Sequence, residues 1–253
     1  MSNPILDRYL PRSEFSSYED FLQNYTVNVP ENFNFGFDIV DGWADMEPQK
    51  RALVWCNDSF EVKTYTFADA KRLSNQAANA FRAAGIRRGD VVMLILKQRP
   101  EVWWCITALC KLGAVCIPAS FQLTPKDIVY RCNAADIKMI VAVDDDEIIG
   151  HITDSLPKCP TVHTVATVGE HTPDGCLDFQ AAMAKESEIF EPDGLQKLDD
   201  MMLIYFSSGT TGMPKMVTHD HYYPLGHIVT SLYWQQCEDS GLHFTISETG
   251  WGK

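Results

Sequence analysis

The sequence predicts an α/β fold with mostly parallel sheets flanked by helices. Three observations support this prediction: apolar runs of strand length, amphipathic segments with recognisable helix caps, and short links between the two. Residues 91–96 are six consecutive apolar residues, which is typical of a parallel strand buried on both faces. The alternation of such runs with helical segments predicts βαβ units with right-handed crossovers.

The N-terminal part is expected to be an irregular wrap that leads into a hairpin. Residues 1–50 contain many aromatic, Pro and Asn residues and are weakly periodic, apart from a short helix predicted near residues 18–24. Residues 52–56 and 62–66 are short apolar or β-branched runs on either side of Asn57 and Asp58. Two such runs around a turn signal predict a β-hairpin.

The clearest helix of the sequence begins directly after this hairpin. Thr66 and Asp69 resemble a capping box, although Asp stands where Glu or Gln is preferred. Gly85 ends the helix, because glycine readily adopts the left-handed conformation that comes after a last turn. The apolar residues at helical spacing are Ala70, Leu73, Ala77, Phe81 and Ala84.

The alternation of strands and helices continues from there towards residue 207. The predicted strands and helices occupy residues 91–96, 100–112, 114–117, a helix after the N-cap Thr124, 139–143, 161–168, 177–185 and 201–207. The acidic residues 144–147 lack the ladder of a calcium loop, so we expect a solvated loop there.

This order divides the chain into three predicted parts. Residues 1–66 form the wrap and the hairpin, and residues 67–200 form an α/β subdomain. Residues 201–253 carry a polar loop and begin a second subdomain.

Composition excludes several classes of protein. The 253 residues include 21 Lys and Arg against 34 Asp and Glu, a net charge of −13, which disfavours binding to nucleic acid or an anionic membrane. No apolar run approaches the roughly 20 residues of a membrane span, and no secretory signal is visible. Cysteines such as Cys105 and Cys116 lie within apolar runs. We therefore expect a reduced, cytoplasmic protein.

The polar loop, which we define as residues 207–215, comes directly after the last predicted strand. It consists of Ser207, Ser208, Gly209, Thr210, Thr211, Gly212, Met213, Pro214 and Lys215. Its glycines let successive N–H groups converge on one anion, and its hydroxyls and its lysine add further donors. It is not a Walker A loop, since Pro214 precedes the lysine, and no G-x-G-x-x-G occurs. The pattern predicts a polyphosphate site, the alternative being an ordinary Ser/Gly-rich turn.

The polar loop resembles the phosphate-binding loop of the adenylate-forming, or AMP-binding, enzymes, which include the acyl-CoA synthetases. Residues 64–67, 84–90 and 111–118 are similar to further landmarks of that family in the same order. Residues 247–251, Ser-Glu-Thr-Gly-Trp, resemble the Ser-Asp-Thr-Gly-Trp of the medium-chain acyl-CoA synthetases. The matches run from about residue 52 to the end of the sequence.

The resemblance implies an AMP-forming acid–thiol ligase that uses ATP, Mg²⁺ and, as co-substrate, coenzyme A. A carboxylate attacks the α-phosphate of ATP and releases pyrophosphate, and the thiol of coenzyme A then displaces AMP from the acyl-adenylate. The residues from Ser207 to Lys215 would hold the β- and γ-phosphates, with Lys215 and the Thr210 hydroxyl as direct contacts. The small carboxylate partner is not specified by the sequence.

Family members are much longer, and their motifs for adenine, ribose, Mg²⁺ and the acyl group are not found here. We therefore expect an N-terminal part of the large domain that does not turn over alone. We also expect that it exposes apolar surface and associates with itself.

Two alternatives remain for the function. The acceptor thiol could belong to a carrier protein, although Ser120 stands where peptide-synthetase domains typically have Asp. The chain could also be a non-catalytic nucleotide-binding or interaction module. Of two further constellations, the spacing of Cys159, His163, His171 and Cys176 favours incidental positions over a zinc site. His219, Asp220 and His221 are expected in a solvated loop rather than beside the nucleotide.

Overall fold

The N-terminal part of the chain contains several short helices around the predicted one. The computed structural model describes residues 3–194, 196–207, 212–244 and 246–250. Its first helices are α1 (Leu6–Tyr9), α2 (Tyr18–Asn24) and α3 (Gly42–Met46), with a π-helical stretch at Phe35–Asp41. Helix α2 confirms the helix predicted near residues 18–24, and the Ser17 side chain caps it by accepting from the Asp20 amide.

The predicted hairpin and the helix after it are both confirmed. Strands β1 (Arg51–Cys56) and β2 (Val62–Thr66) pair antiparallel, with Val54 opposite Thr64. Helix α4 (Phe67–Ala83) begins with the predicted capping box, in which Thr66 Oγ1 accepts from the Asp69 amide at 3.1 Å and Asp69 Oδ2 accepts from the Thr66 amide at 3.0 Å. Gly85 has φ +94°, as expected for the residue that ends the helix.

Seven strands of the described residues form one sheet, which is parallel except at one edge. They are β3 (Val91–Ile95), β4 (Val115–Pro118), β5 (Ile137–Val143), β6 (Thr164–Val168), β7 (Leu177–Asp178), β8 (Met201–Ser207) and β9 (Lys215–Asp220). Their order in the sheet is β7-β6-β5-β3-β4-β8-β9, and only the β8–β9 pair is antiparallel. This confirms the predicted α/β class.

The helices that connect these strands lie in two layers. They are α5 (Glu101–Leu112), α6 (Pro125–Ala134), α7 (Asp146–Ser155) and α8 (Phe179–Ala184), and the short helix α9 (Tyr223–Gly226) comes after β9. The connection from β3 to β4 and the connection from β4 to β5 run in opposite directions along the sheet, so right-handed crossovers place α5 and α6 on opposite faces. Accordingly α4 packs against α5 and α8, whereas α6 packs against α7.

The core confirms the interpretation of the apolar runs as buried strands. Residues 92–96 are buried, as are Ile137 and residues 139–143. Cys105 and Cys116 are buried in the same cluster, and all eight cysteines are free. None of the helices in the described ranges is both long enough and apolar enough to cross a bilayer.

The acidic residues 144–147 are not the solvated loop that we expected. Asp146 begins helix α7, and Asp145 caps it by accepting from the amides of Glu147 and Ile148. Asp144 Oδ2 accepts from the amides of Glu170 at 2.7 Å and His171 at 3.0 Å. Asp145 is engaged because helix α7 starts directly after β5 and needs a cap. Asp144 is engaged because the segment that follows β6 passes beside the end of β5.

Candidate functional site

The described residues of the polar loop lie at the carboxyl edge of the parallel sheet. Strand β8 runs parallel to β4, with Leu203 opposite Cys116, and so ends at the same edge as β3, β4, β5 and β6. Strand β8 ends at Ser207 and β9 begins at Lys215, its partner in the register. Ligands of open α/β sheets bind at this edge, outside the carboxyl ends of the strands. The sequence and the topology therefore indicate the same place.

The structure describes five of the nine predicted loop residues. Ser207 and Lys215 are exposed, and the Ser207 hydroxyl lies 3.5 Å from the Lys215 carbonyl oxygen. Gly212 has φ +118°, a conformation that favours glycine, and open space surrounds the position of a Cβ there. Met213 is exposed and Pro214 is half-buried. The remaining predicted residues, Ser208, Gly209, Thr210 and Thr211, lie outside the described residues.

Lys215 supplies an uncommitted positive charge at this edge. Within the described ranges it makes no ion pair with any carboxylate, whereas Lys50, Lys97 and Lys111 are all paired. An exposed and unpaired ammonium beside a glycine-bearing turn is suited to an anion. In a chain with a net charge of −13, such an anion must be attracted locally.

Helix α6 contacts the residue before the polar loop, Phe206, and a residue near its end, Pro214. Tyr130 Oη donates to the Pro214 carbonyl oxygen at 2.8 Å. The ring of Phe206, the residue before the loop, lies 6.1 Å from the Tyr130 ring at 72° and 4.9 Å from the Arg131 guanidinium carbon. These α6 contacts could not be predicted from the sequence, because helical spacing alone does not tell which face of α6 meets the β8–β9 hairpin.

The segment that resembles a family landmark near the end of the chain packs on the same edge. Glu248 Oε1 accepts from the Phe121 amide at 3.0 Å, and Thr249 Oγ1 donates to the Lys97 carbonyl oxygen at 3.1 Å. A Cβ on Gly250 would overlap the backbone of Ala119 and Ser120, so only glycine fits there. Residues 247–250 therefore close over the ends of β3 and β4.

Lys97 and Asp145 link the two central strands at this edge. Lys97 Nζ lies 2.8 Å from Asp145 Oδ2, which joins the end of β3 to the start of the helix after β5. The hydrogen bond from Lys97 and the amide of Ile148 lower the pKa of the Asp145 carboxyl. The strand order reverses between β3 and β5, since the chain leaves β3 towards one side of the sheet and returns to β5 on the other.

The histidines after the polar loop are not in a solvated loop, which corrects that expectation. His219 and Asp220 belong to β9, and His221 is buried with its Nδ1 atom 4.0 Å from Cys110 Sγ. Burial lowers the pKa of His221. His221 directly follows β9, and its amide donates to the Leu198 carbonyl oxygen at 3.0 Å, which holds this residue within the fold.

A cavity of about 460 Å³ opens beside β9, on the side where α9 comes after the strand. His219 stacks on Tyr223 with ring centroids 3.9 Å apart, and Tyr223 meets His227 edge-on at 4.5 Å. The cavity is lined by Thr218, His219, Asp220, Tyr222, Tyr223, Gly226 and His227. Aromatic and imidazole walls of this kind suit a planar or apolar group.

The described residues do not contain a group of three His, Cys, Asp or Glu side chains that could hold a metal ion. Among the residues whose spacing was compared with that of a zinc site, Cys159 is buried, while His163 and His171 are exposed. Burial raises the pKa of the Cys159 thiol, which disfavours the thiolate that a metal needs.

Comparison with known proteins identifies a matching family model and several similar proteins. A protein-family model described as AMP-binding enzyme matches residues 40–246. Acyl-coenzyme A synthetase ACSM3, mitochondrial, from Mus musculus is 35% identical over 246 residues, which are 94% of this chain and 42% of that protein. ACSM4, mitochondrial, from the same species is 37% identical over 235 residues, 89% of this chain and 40% of that protein. Both names specify mitochondria, so the expected cytoplasmic location has no support among these relatives.

Solved structures share the fold. An acyl-CoA synthetase from Brucella canis aligns with a TM-score of 0.77 and 25% identity, over 88% of this chain and 40% of that chain. Acetoacetyl-CoA synthetase from Streptomyces lividans aligns with a TM-score of 0.76 at 20% identity, over 90% of this chain and 36% of that chain. The chain thus spans about two fifths of the length of the proteins that it matches.

Proposed function

The chain belongs to the AMP-binding enzyme family, and on that basis we propose that it is the ATP-phosphate-binding part of an acyl-CoA synthetase. The proposed reaction joins a carboxylate to ATP, with release of pyrophosphate, and then transfers the acyl group from the adenylate to the thiol of coenzyme A. This reaction is that of an AMP-forming acid–thiol ligase.

The position of the polar loop is the observation that supports this proposal most. Its described residues lie at the carboxyl edge of a parallel sheet, with Lys215 exposed and unpaired within the described part of the chain. In the proposed role Lys215 and the loop amides bind the β- and γ-phosphates and stabilise the charge that develops on the leaving pyrophosphate. The Thr210 hydroxyl is proposed as a second direct contact.

The residues present fit ATP better than they fit a resident metal ion. Exposed donors and an unpaired ammonium suit a polyphosphate. By contrast, the described residues bring together no cluster of carboxylates for Mg²⁺. The expectation of Mg²⁺ therefore rests on the family resemblance, and we assign no step of the reaction to it.

Coenzyme A is proposed as the acceptor rather than a carrier-protein thiol. The relatives named above are coenzyme A synthetases. Ser120, where peptide-synthetase domains typically have Asp, here accepts the Gln122 amide at 3.1 Å within a turn. A ligase that loads a carrier protein is expected to have other carrier-protein ligases among its relatives and Asp at the position of Ser120.

A non-catalytic nucleotide-binding or interaction module is the second candidate. The exposed Lys215 at the start of β9 supports nucleotide binding in this candidate as well. The two candidates share ATP binding and differ in turnover.

Binding of ATP and inorganic pyrophosphate tests the proposal directly. We expect measurable binding by isothermal titration calorimetry, and we expect Lys215→Met to weaken it about tenfold or more, since a charge-assisted hydrogen bond is lost. Lys126→Met, which removes an exposed lysine of α6, serves as the matched control and should leave binding unchanged. Absence of binding to both ligands would contradict the proposal.

An ATP–pyrophosphate exchange assay with a panel of carboxylates separates the two candidates. Carboxylate-dependent exchange would favour the synthetase, whereas ATP binding without exchange for any carboxylate, in this chain and in any longer protein that contains it, would favour the module.

A further inference from the structure

We infer that Tyr130 is a positioning residue that holds the exit of the polar loop in place for a polyphosphate. This inference rests on the proposed function, because it assigns a role in the same site. Tyr130 lies on α6, and its hydroxyl donates to the carbonyl oxygen of Pro214 at 2.8 Å. Pro214 directly precedes Lys215, so the contact fixes the backbone from which that lysine projects.

The other arm of the loop is fixed from the same helix. The Phe206 ring lies against the edge of Tyr130, with 6.1 Å between the centroids, and beneath the Arg131 guanidinium at 4.9 Å. Arg131 is itself held, since its Nη1 atom donates to the Asp127 carbonyl oxygen at 3.2 Å and lies 3.8 Å from Asp127 Oδ1. Two successive residues of α6 therefore contact both the residue before the loop and Pro214 near its end.

Helix α6 is a firm support for these contacts. Its first turn is closed by a capping box in which Asp127 Oδ2 accepts from the Thr124 hydroxyl at 2.6 Å and from the Thr124 amide at 3.1 Å. Ile128 and Cys132 are buried in the main core. Packing in the core thus holds α6 in place, and Tyr130 and Arg131 of this helix contact the residues at the two ends of the loop.

Holding the loop before the ligand arrives lowers the entropic cost of binding. Fixing backbone on ligand binding costs conformational entropy, which opposes association. A hydrogen bond that anchors the exit removes part of this cost in advance. The expected contribution is that of one hydrogen bond, about a 3- to 10-fold effect on the dissociation constant.

The substitution Tyr130→Phe tests the inference, because it removes the hydroxyl and keeps the ring against Phe206. Tyr233→Phe is the control: the Tyr233 hydroxyl also donates to a backbone carbonyl oxygen at 2.8 Å, that of Ser13, which is outside the polar loop. Both variants lose one hydrogen bond from a tyrosine hydroxyl to a backbone carbonyl oxygen, so an effect common to the loss of such a bond is seen in both.

Two measurements on the 253-residue chain are compared for these variants. The first is the dissociation constant for inorganic pyrophosphate, which we expect Tyr130→Phe to raise about 3- to 10-fold and Tyr233→Phe to leave unchanged. The second is hydrogen exchange of the amides in residues 212–216 without ligand, which we expect to accelerate in Tyr130→Phe alone while the melting temperatures of the two variants stay similar.

Each outcome decides the inference. Equal pyrophosphate affinities for Tyr130→Phe and wild type would overturn it, as would a loss of affinity accompanied by a lower melting temperature than that of Tyr233→Phe, which indicates a general structural role. If the wild-type chain binds neither ATP nor pyrophosphate, the proposed function fails. In that case unchanged exchange at residues 212–216 overturns the positioning role, and faster exchange in Tyr130→Phe supports it.

Discussion

Lys111 is a charged residue whose side chain lies in the interior of the protein, where lysine is rarely found. Its side chain is fully buried, and its Nζ atom donates to Asp41 Oδ1 at 2.6 Å, Asn75 Oδ1 at 2.8 Å and Ser74 Oγ at 2.9 Å. Burial lowers the pKa of Lys111 and raises that of Asp41. Each charge is therefore tolerated only beside the other. The contact joins α5 to α4 and to the π-helical stretch.

We predict that Lys111→Met destabilises the chain by about 3–5 kcal/mol, because it leaves Asp41 buried without a counter-charge. The free energy of unfolding in urea at neutral pH measures this. Lys71→Met is the control, since Lys71 pairs with Asp45 at 2.5 Å at the surface and should cost no more than about 1 kcal/mol. Equal losses for the two variants would contradict the prediction.

At the scale of the element, α4 demonstrates what local sequence determines. The Thr66 and Asp69 pair predicted its start, and the structure contains both reciprocal hydrogen bonds of the capping box. The amide of Thr66 donates to Asp69 and, together with the Thr66 hydroxyl and Arg72, holds the pKa of Asp69 below its ordinary value. The acid substitutes for the preferred Glu or Gln because its shorter side chain still reaches the Thr66 amide.

The Asp69 capping box predicts a dependence of stability on pH. Because the folded-state pKa is depressed, the carboxylate contributes fully above its unfolded pKa and the contribution is lost as pH falls through the folded value. Asp69→Asn should therefore cost about 1 kcal/mol at neutral pH, and the difference from wild type should shrink below about pH 4.

Urea unfolding of the Asp69→Asn variant at a series of pH values measures this difference. Asp58→Asn, in the exposed turn between β1 and β2, is the control and should show no such pH-dependent difference. A difference from wild type that stays constant from pH 7 to pH 3 would show that Asp69 does not act as a capping carboxylate.

Two features that the sequence did not predict depend on contacts with distant parts of the chain. Asp144 is held by the amides of Glu170 and His171 instead of lying in a solvated loop. His221 is buried because β9 continues the sheet past the polar loop. Neither contact leaves a local pattern, since the partners are distant in sequence.

At the scale of the whole molecule, large exposed apolar side chains are frequent between residues 213 and 246. Trp234 is 85% exposed, Phe244 is 84% exposed and Ile246 is 87% exposed. Strand β9 in this stretch is an edge strand, with Met216 and Val217 exposed. Exposed apolar side chains beside an open strand edge favour association.

We predict concentration-dependent self-association of the chain through this stretch. Val217→Lys places a charge on the edge strand and should weaken association about tenfold or more, as measured by sedimentation velocity. Phe60→Lys is the control, because Phe60 is 90% exposed in the β1–β2 turn, outside this stretch, and should not alter association. A monomer at all concentrations that binds no hydrophobic dye would contradict the prediction.

The sequence by itself determined the α/β class, most strands and helices, and the polar loop with Lys215 at its end, because short-range periodicity, caps and glycine spacing encode these features. Only the tertiary structure decided that β8 and β9 join the sheet of β3 to β7, that Tyr130 and Arg131 hold the two arms of the loop, and that Glu248 reaches the Phe121 amide. These contacts join residues far apart in sequence, and the folding of the whole core selects them. In this chain of net charge −13, the proposed anion site thus has donors that are close together in sequence and supporting contacts from residues that are distant in sequence.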